Sequence, residues 1–112
     1  MSPRPKPKTL PDYAPLFAAL GDATRLRLVA TLCLGGAMSI AQLTEGADMT
    51  RQGVTKHLQV LADAGLVRGI KVGREHRWEF DPAQLDEARR SLDLIAQQWD
   101  RALARLKAAV EN

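Results

Sequence analysis

The chain has 112 residues, 46% of them hydrophobic and 26% charged, with a formal net charge of +3. That length and mixture build one domain with a modest core and exclude a largely disordered chain. One cysteine excludes an internal disulfide framework, and no apolar run reaches membrane-spanning length, so a reducing cytoplasmic setting without membrane contact is expected.

Residues 1–11 read as a basic, proline-rich tail, with Pro alternating with Arg or Lys and no apolar core like that of a signal peptide. The folded domain is expected over residues 12–112. Asp12 is expected to cap a short helix through Leu20, with Pro15 in its first turn. Gly21 breaks that helix. Asp22 then caps a second one, whose inner side is read as Leu26, Val29, Leu32 and Cys33, and Gly35 and Gly36 end it. Ser39 opens a short third helix over SIAQL, where Gln42 is placed to complete a capping box.

Gly46 to Met49 make a tight turn into TRQGVTKHLQVLADAGL at residues 50–66, the most informative stretch of the chain. Thr50 is a good N-cap, and Gly65 stands where a helix ends in the left-handed conformation. At about 100° per residue, Val54, Leu58 and Leu61 gather on one side of this helix. Arg51, Gln52, Thr55, Lys56 and Gln59 fall within an arc of about 140° on another. The arc offers hydrogen-bonding groups suited to base edges and phosphates, and no carboxylate. Two short helices, a tight turn and a polar-faced second helix match the helix-turn-helix pattern. Gly53 costs about 1 kcal/mol against Ala in a helix interior; it either admits a close backbone approach or is tolerated.

Beyond Gly65 the apolar period changes to that of strands. Leu66 and Val67 begin one, Arg77 to Phe80 alternate in another, and Gly73 lies in the turn between them, which makes the pair a basic wing. Asp81 and Pro82 start a long last helix, about residues 82–111, with apolar residues at Leu85, Ala88, Leu92, Ile95, Trp99, Leu103, Leu106 and Val110. Roughly 45 Å of helix cannot bury its whole stripe against so small a domain. The surplus reads as a dimer seam through Leu92, Ile95, Trp99, Leu103 and Leu106. Trp99 is placed at its centre, beside Leu16, Phe17 and Leu20 of the first helix. The expected fold is mainly α with a small β-hairpin: a winged helix-turn-helix, α-α-α-α-β-β-α, dimerising through its terminal helices.

The charge is concentrated where this reading needs it. Six Lys or Arg and two acids lie between Arg51 and Arg77, whereas seven acids outnumber five bases from Trp78 onward. A polyanion partner leaves this footprint, although a solvated face with extra bases would share it.

The chain resembles winged-helix repressors of the ArsR/SmtB family over roughly residues 12–108. The resemblance is carried by ALGDATRLRLVATL at 19–32, SIAQL at 39–43, TRQGVTKHLQVLADAGLV at 50–67 and GREHRWEFDP at 73–82, in that order. It implies a homodimer that sets two reading helices into successive major grooves of an inverted repeat in double-stranded DNA. It also implies DNA contacts at Arg51, Gln52, Thr55 and Lys56, the arc that helical geometry selects. Arg51 is then expected to fork onto guanine O6 and N7, and Gln52 to pair with adenine. Thr55 would meet a base edge or phosphate, and Lys56 a phosphate. Lys71, Arg74 and Arg77 would supply backbone or minor-groove contacts, unless strand alternation turns Arg77 away.

Many members of that family bind metal through a cysteine pair near the reading motif or through His and carboxylates on the last helix. Here the segment leading into the reading helix lacks cysteine and the last helix lacks histidine. Asp86, Glu87, Asp93 and Asp100 have the spacing of a solvated face, so no metal site and no cofactor is expected. The inducer is not legible, and nothing in the residues separates repression from activation. His57 reads as a half-buried structural histidine or a base reader, and His76 as a phosphate contact or simply exposed. Cys33 reads as a small buried hydrophobe, with a thiol-responsive repressor as an alternative function. No nucleophile motif or phosphate-binding loop suggests an enzyme. The remaining alternative, a winged helix used for protein–protein contact, predicts fewer donors on the reading face and no basic hairpin.

Overall fold

The computed structural model describes residues 9–45 and 47–111; most of the expected basic tail and Gly46 of the turn lie outside them. The Thr9 N–H and hydroxyl both donate to the Asp12 carboxylate, at 2.8 and 3.1 Å. They open a 3-10 turn, Leu10–Tyr13, that runs directly into α1, Ala14–Leu20. The cap is therefore Thr9, and Asp12 is the acceptor three residues on, so the first helical turn begins ahead of residue 12. Thr and Asp are both good N-caps, and with three residues between them either can start a helix on sequence grounds.

α2, Ala23–Gly35, starts on Asp22, whose carboxylate accepts the Arg25 N–H at 3.0 Å; that bond, first among its causes, holds Asp22 below the usual aspartate range. Its inner face is Leu28, Val29 and Leu32. Leu26, 54% exposed, and the exposed Cys33 lie outside, against the sequence expectation. α2 carries apolar residues around most of its circumference, so hydropathy does not choose the docking stripe; the neighbouring elements do. α3, Ile40–Thr44, has both halves of its capping box, with Ser39 N–H on Gln42 Oε1 at 2.9 Å and Gln42 N–H on Ser39 Oγ at 3.2 Å.

α4, Arg51–Asp63, is closed at both ends. Thr50 Oγ1 accepts the Gly53 N–H at 3.0 Å. At the other end Gly65 N–H reaches Ala62 O at 3.0 Å and Leu66 N–H reaches Leu61 O at 2.9 Å, with Gly65 at φ +79°. This pair of crossing bonds is the Schellman closure, which satisfies carbonyls that a helix end leaves open. β1, Val67–Val72, then pairs antiparallel with β2, Glu75–Phe80, in the register Val67 to Phe80 through Val72 to Glu75. Gly73, at φ +66°, is the first of two loop residues, where two-residue hairpin turns require positive φ. A further bridge ties the wing's root to the α2–α3 connection: Met38 N–H to Trp78 O at 2.9 Å and Trp78 N–H to Met38 O at 2.7 Å.

α5, Ala83–Glu111, begins with Asp81 Oδ1 accepting the Ala83 N–H at 3.1 Å. The Tyr13 hydroxyl donates to Glu87 at 3.1 Å and holds the first turns of α5 against the opening 3-10 turn. The core comprises Tyr13, Leu16, Leu32, Val54, Leu58, Leu61, Leu66 and Ala88 among others. Ala88 is the last buried residue of α5. Beyond it Leu92, Ile95, Trp99, Leu103, Leu106 and Val110 are 43–78% exposed. A radius of gyration of 18.9 Å, against about 13 Å for a compact chain near this length, reflects that projection. Leu16, expected in the seam, is 3% exposed within one chain and belongs to its own core, whereas Phe17 and Leu20 are partly buried against that core.

The positive-φ glycines at the end of α4 and at the tip of the wing, Gly65 and Gly73, differ in their surroundings. A Cβ at Gly65 would lie 2.9 Å from Gln84 Cγ, whereas one at Gly73 would meet nothing within 4 Å. Gly65→Ala is expected to destabilise the fold by more than the roughly 1–2 kcal/mol of left-handed backbone strain, and Gly73→Ala by no more than that strain. Urea denaturation at one fixed protein concentration checks the order; equal losses would show that Gln84 yields without cost.

Candidate nucleic-acid interface

Burial of Val54, Leu58 and Leu61 fixes the rotation of α4 and leaves Arg51, Gln52, Thr55, Lys56 and Gln59 exposed on one face. Four of these five residues, with Ile40 of α3, line one shallow depression. Arg51 also borders a second depression that contains Gln42 and Glu45. The arc is not uniform in its bonding. Thr55 Oγ1 donates to Arg51 O at 2.8 Å, which commits its proton to the backbone. Gln59 Nε2 donates to Asp63 Oδ1 at 3.0 Å. Among the described residues, Arg51 and Lys56 have no ion-pair partner, so their charges face solvent.

The hairpin register sorts the wing's cations onto different faces, because successive residues of a strand point to opposite sides. Gly69, Trp78, Lys71 and His76 share the face that continues from Val67 and Phe80. Arg68, Glu79, Ile70, Arg77, Val72 and Glu75 share the other. Lys71 and Arg77 are therefore not brought together. Arg77 is further engaged by Glu75, with Nε and Nη2 at 3.0 and 2.8 Å from the same carboxylate oxygen. The alternation thus sets Arg77 on the face opposite Lys71 and on the same face as Arg68. Arg68 is neutralised likewise by Glu79 at 2.6 Å. Lys71 and, at the tip, Arg74 are exposed and without ion pairs among the described residues.

His57 is half-buried, with Nδ1 3.5 Å from Arg25 Nη1 and 3.9 Å from Asp22 Oδ2, the structural position among the two expected for it. His76 is exposed and stacks on Trp78, with ring centroids 5.6 Å apart and planes at 20°. Gly69 admits that stack, since a Cβ there would lie 2.6 Å from His76 Nε2. Gly53 makes room for Met49, whose Cε would lie 3.1 Å from an added Cβ. The residue that sequence reasoning passed over is Arg25. Its Nε donates to Ala19 O at 2.7 Å and its Nη2 to Ala18 O at 3.4 Å, while Nη1 meets His57. It joins α1, α2 and α4, and so positions the reading helix. The signal was a guanidinium on the inner arc of α2, between Leu28, Val29 and Leu32, where an unpaired charge would be costly.

Cys33, His57 and His76 lie on α2, α4 and β2, and among the described residues no group of three or more His, Cys, Asp or Glu is gathered for a metal ion. Soft-metal coordination needs thiolates or imidazoles within reach of one centre, so these residues do not fit such a site.

A capped polar helix set on a helix-turn-helix, with a basic hairpin beside it, defines a winged helix-turn-helix protein of the DNA-binding class. A helix-turn-helix domain family model matches residues 20–70. The chain is 34% identical over 93 residues to the HTH-type transcriptional regulator Rv2034 of Mycobacterium tuberculosis, covering 83% of this chain and 81% of that one. It is 36% identical over 62 residues to the arsenical resistance operon repressor of Bacillus subtilis, covering 55% and 59% of the two chains. The solved structure of an ArsR-like transcriptional regulator from Rhodococcus sp. RHA1 matches with a TM-score of 0.75 at 38% identity, over 86% of this chain and 90% of that one. The chain belongs to the ArsR family of winged helix-turn-helix transcriptional regulators.

The Glu75–Arg77 pair yields a prediction for DNA binding. Glu75→Gln removes an acid from the wing and frees a guanidinium. Nonspecific duplex binding is expected to tighten, with the slope of log affinity against log salt steeper by up to about 1. An unchanged slope would place Arg77 clear of the phosphates.

Proposed function

We propose that two copies of this chain form a cytoplasmic repressor that binds an inverted-repeat operator. The observation that carries the reading is the exposed arc of α4, where Arg51, Gln52 and Lys56 stand clear with no acid among them. Arg51 and Gln52 read base edges, and Thr55 meets a base edge or phosphate. Lys56, Lys71 and Arg74 hold phosphates, and Gln59 lies at the arc's margin. Among the described residues no helix is long and apolar enough to cross a membrane, which agrees with a regulator acting on DNA.

The dimer reading is supported by the unpartnered stripe of α5. Leu92, Ile95, Trp99, Leu103 and Leu106 recur at spacings of three and four and are all exposed in one chain. Those spacings keep one face of a helix against a partner over several turns. Phe17 and Leu20 of α1 remain the first helix's contribution, and Leu16 does not. The repressing action follows relatives such as the arsenical resistance operon repressor of Bacillus subtilis. What those relatives sense is not carried over, since one cysteine and two histidines on separate elements supply no common site.

Selection of binding sites from randomised duplex, with reduced protein and a chelator, tests the DNA reading. The native chain is expected to enrich an inverted repeat. Arg51→Ala is expected to lose about 1–3 kcal/mol of specific binding and to relax one base position in each half-site. Uniform weakening over all sequences would assign Arg51 to a phosphate. For the seam, Trp99→Asp is expected to sediment as a monomer where the native chain is a dimer; an unchanged dimer would refute the placement of Trp99.

A further inference from the structure

Between α2, α3 and the start of α4 lies a hollow of about 570 Å³, a size in the range of sites for small organic ligands. Its floor is apolar: Leu28 from α2, Leu43 from α3 and Val54 from α4 are buried beneath it. The half-buried side chains of Met38 and Met49 also line it. Unbranched thioethers adapt to bodies of different outline. The rim is charged and uneven. Glu45 and Asp48 of the α3–α4 connection face Arg27 of α2, all three exposed and without ion pairs among the described residues. Two carboxylates against one guanidinium make this rim acidic, whereas the depression on the reading face is bordered by Arg51 and Lys56. None of the five arc residues lines the hollow.

We propose that this hollow binds a small organic cation with a bulky apolar body, and that its occupation loosens the reading helix's hold on DNA. The floor buries the body by the hydrophobic effect, which is blind to charge. Glu45 and Asp48 then discriminate: they attract a cation and repel an anion of the same shape, over an exposed rim where screening keeps either effect modest. Met49 immediately precedes the α4 cap, Thr50, and Val54 lies in the first turns of α4. A body seated between these residues and Leu28 acts on the packing that sets the rotation and position of α4. It influences DNA binding by its different affinity for the two poses, and DNA influences its binding by the same factor. This second part rests on the operator reading above; the ligand site does not.

The test uses two ions of one shape and opposite charge, tetraphenylphosphonium and tetraphenylborate, titrated calorimetrically into the DNA-free protein. The phosphonium is expected to bind once per chain, and the borate several-fold more weakly. Glu45→Gln combined with Asp48→Asn is expected to weaken the phosphonium several-fold and not the borate. Thr31→Trp places an indole on the α2 wall from an exposed position and is expected to block both ions without changing the circular dichroism spectrum. Equal binding of the two ions, or phosphonium affinity unmoved by either variant, overturns the site. With operator DNA, saturating phosphonium is expected to lower protein affinity about fivefold or more, and Thr31→Trp to abolish the response. Unchanged affinity overturns the coupling while DNA binding without the ion still stands. No operator binding even without the ion overturns the DNA reading and the coupling together, and leaves the ligand site to the calorimetry.

Discussion

The geometry of this molecule depends on three side chains of α4. Val54, Leu58 and Leu61 are at most 1% exposed, and each such aliphatic group is worth about 1.5–3 kcal/mol when fully buried. Turning α4 by one residue, about 100°, would bring Gly53, His57 and Val60 toward the core in their place. That exchange would break the His57–Arg25 contact and expose two leucines and a valine. Rotation of the helix is therefore fixed by three burial terms that together exceed a single base contact, which is typically about 1–3 kcal/mol. The arc is presented to solvent because the core allows no other orientation.

Fixing rotation is not enough, since a short helix frays at its ends. Thr50 closes the start, and the crossed bonds of Gly65 and Leu66 close the end. The same Leu66 is fully buried, and its carbonyl accepts the Asp81 N–H at 2.9 Å. One residue thus ends the reading helix, enters the core and anchors the exit of the wing. Arg25 adds the polar counterpart by spanning α1, α2 and α4 through two carbonyls and an imidazole.

Most elements were legible because their signals are local. Asp22, Ser39, Thr50 and Gly65 each act on backbone groups within a few residues, so their chemistry is written in sequence order. The arc of α4 was legible for the same reason: one helix with one clear apolar side leaves little choice. α2 was not, because several of its faces are apolar and only the neighbours decide which is buried; Leu26 and Cys33 fit an inner face by spacing and lie outward. Leu16 was misjudged by the same mechanism, since an apolar residue on a terminal helix reads alike whether it faces its own core or another chain. Arg25 and the bridge between Met38 and Trp78 join residues far apart in sequence. No spacing rule exposes such contacts. The wing's cations are evident from composition, but register and the Glu75 and Glu79 pairs decide which remain unneutralised.

The bridge between Met38 and Trp78 also shapes how the wing moves. A two-stranded hairpin alone is marginally stable in water. Here a third segment grips the root through two short backbone bonds, while among the described residues Val72 through Glu75 at the far end have no backbone bond outside the hairpin. The wing is thus a cantilever, clamped at Trp78 and compliant at Arg74. On the proposed operator reading, such a lever would let the charged tip follow grooves of different width while passing little of that deflection back to α4.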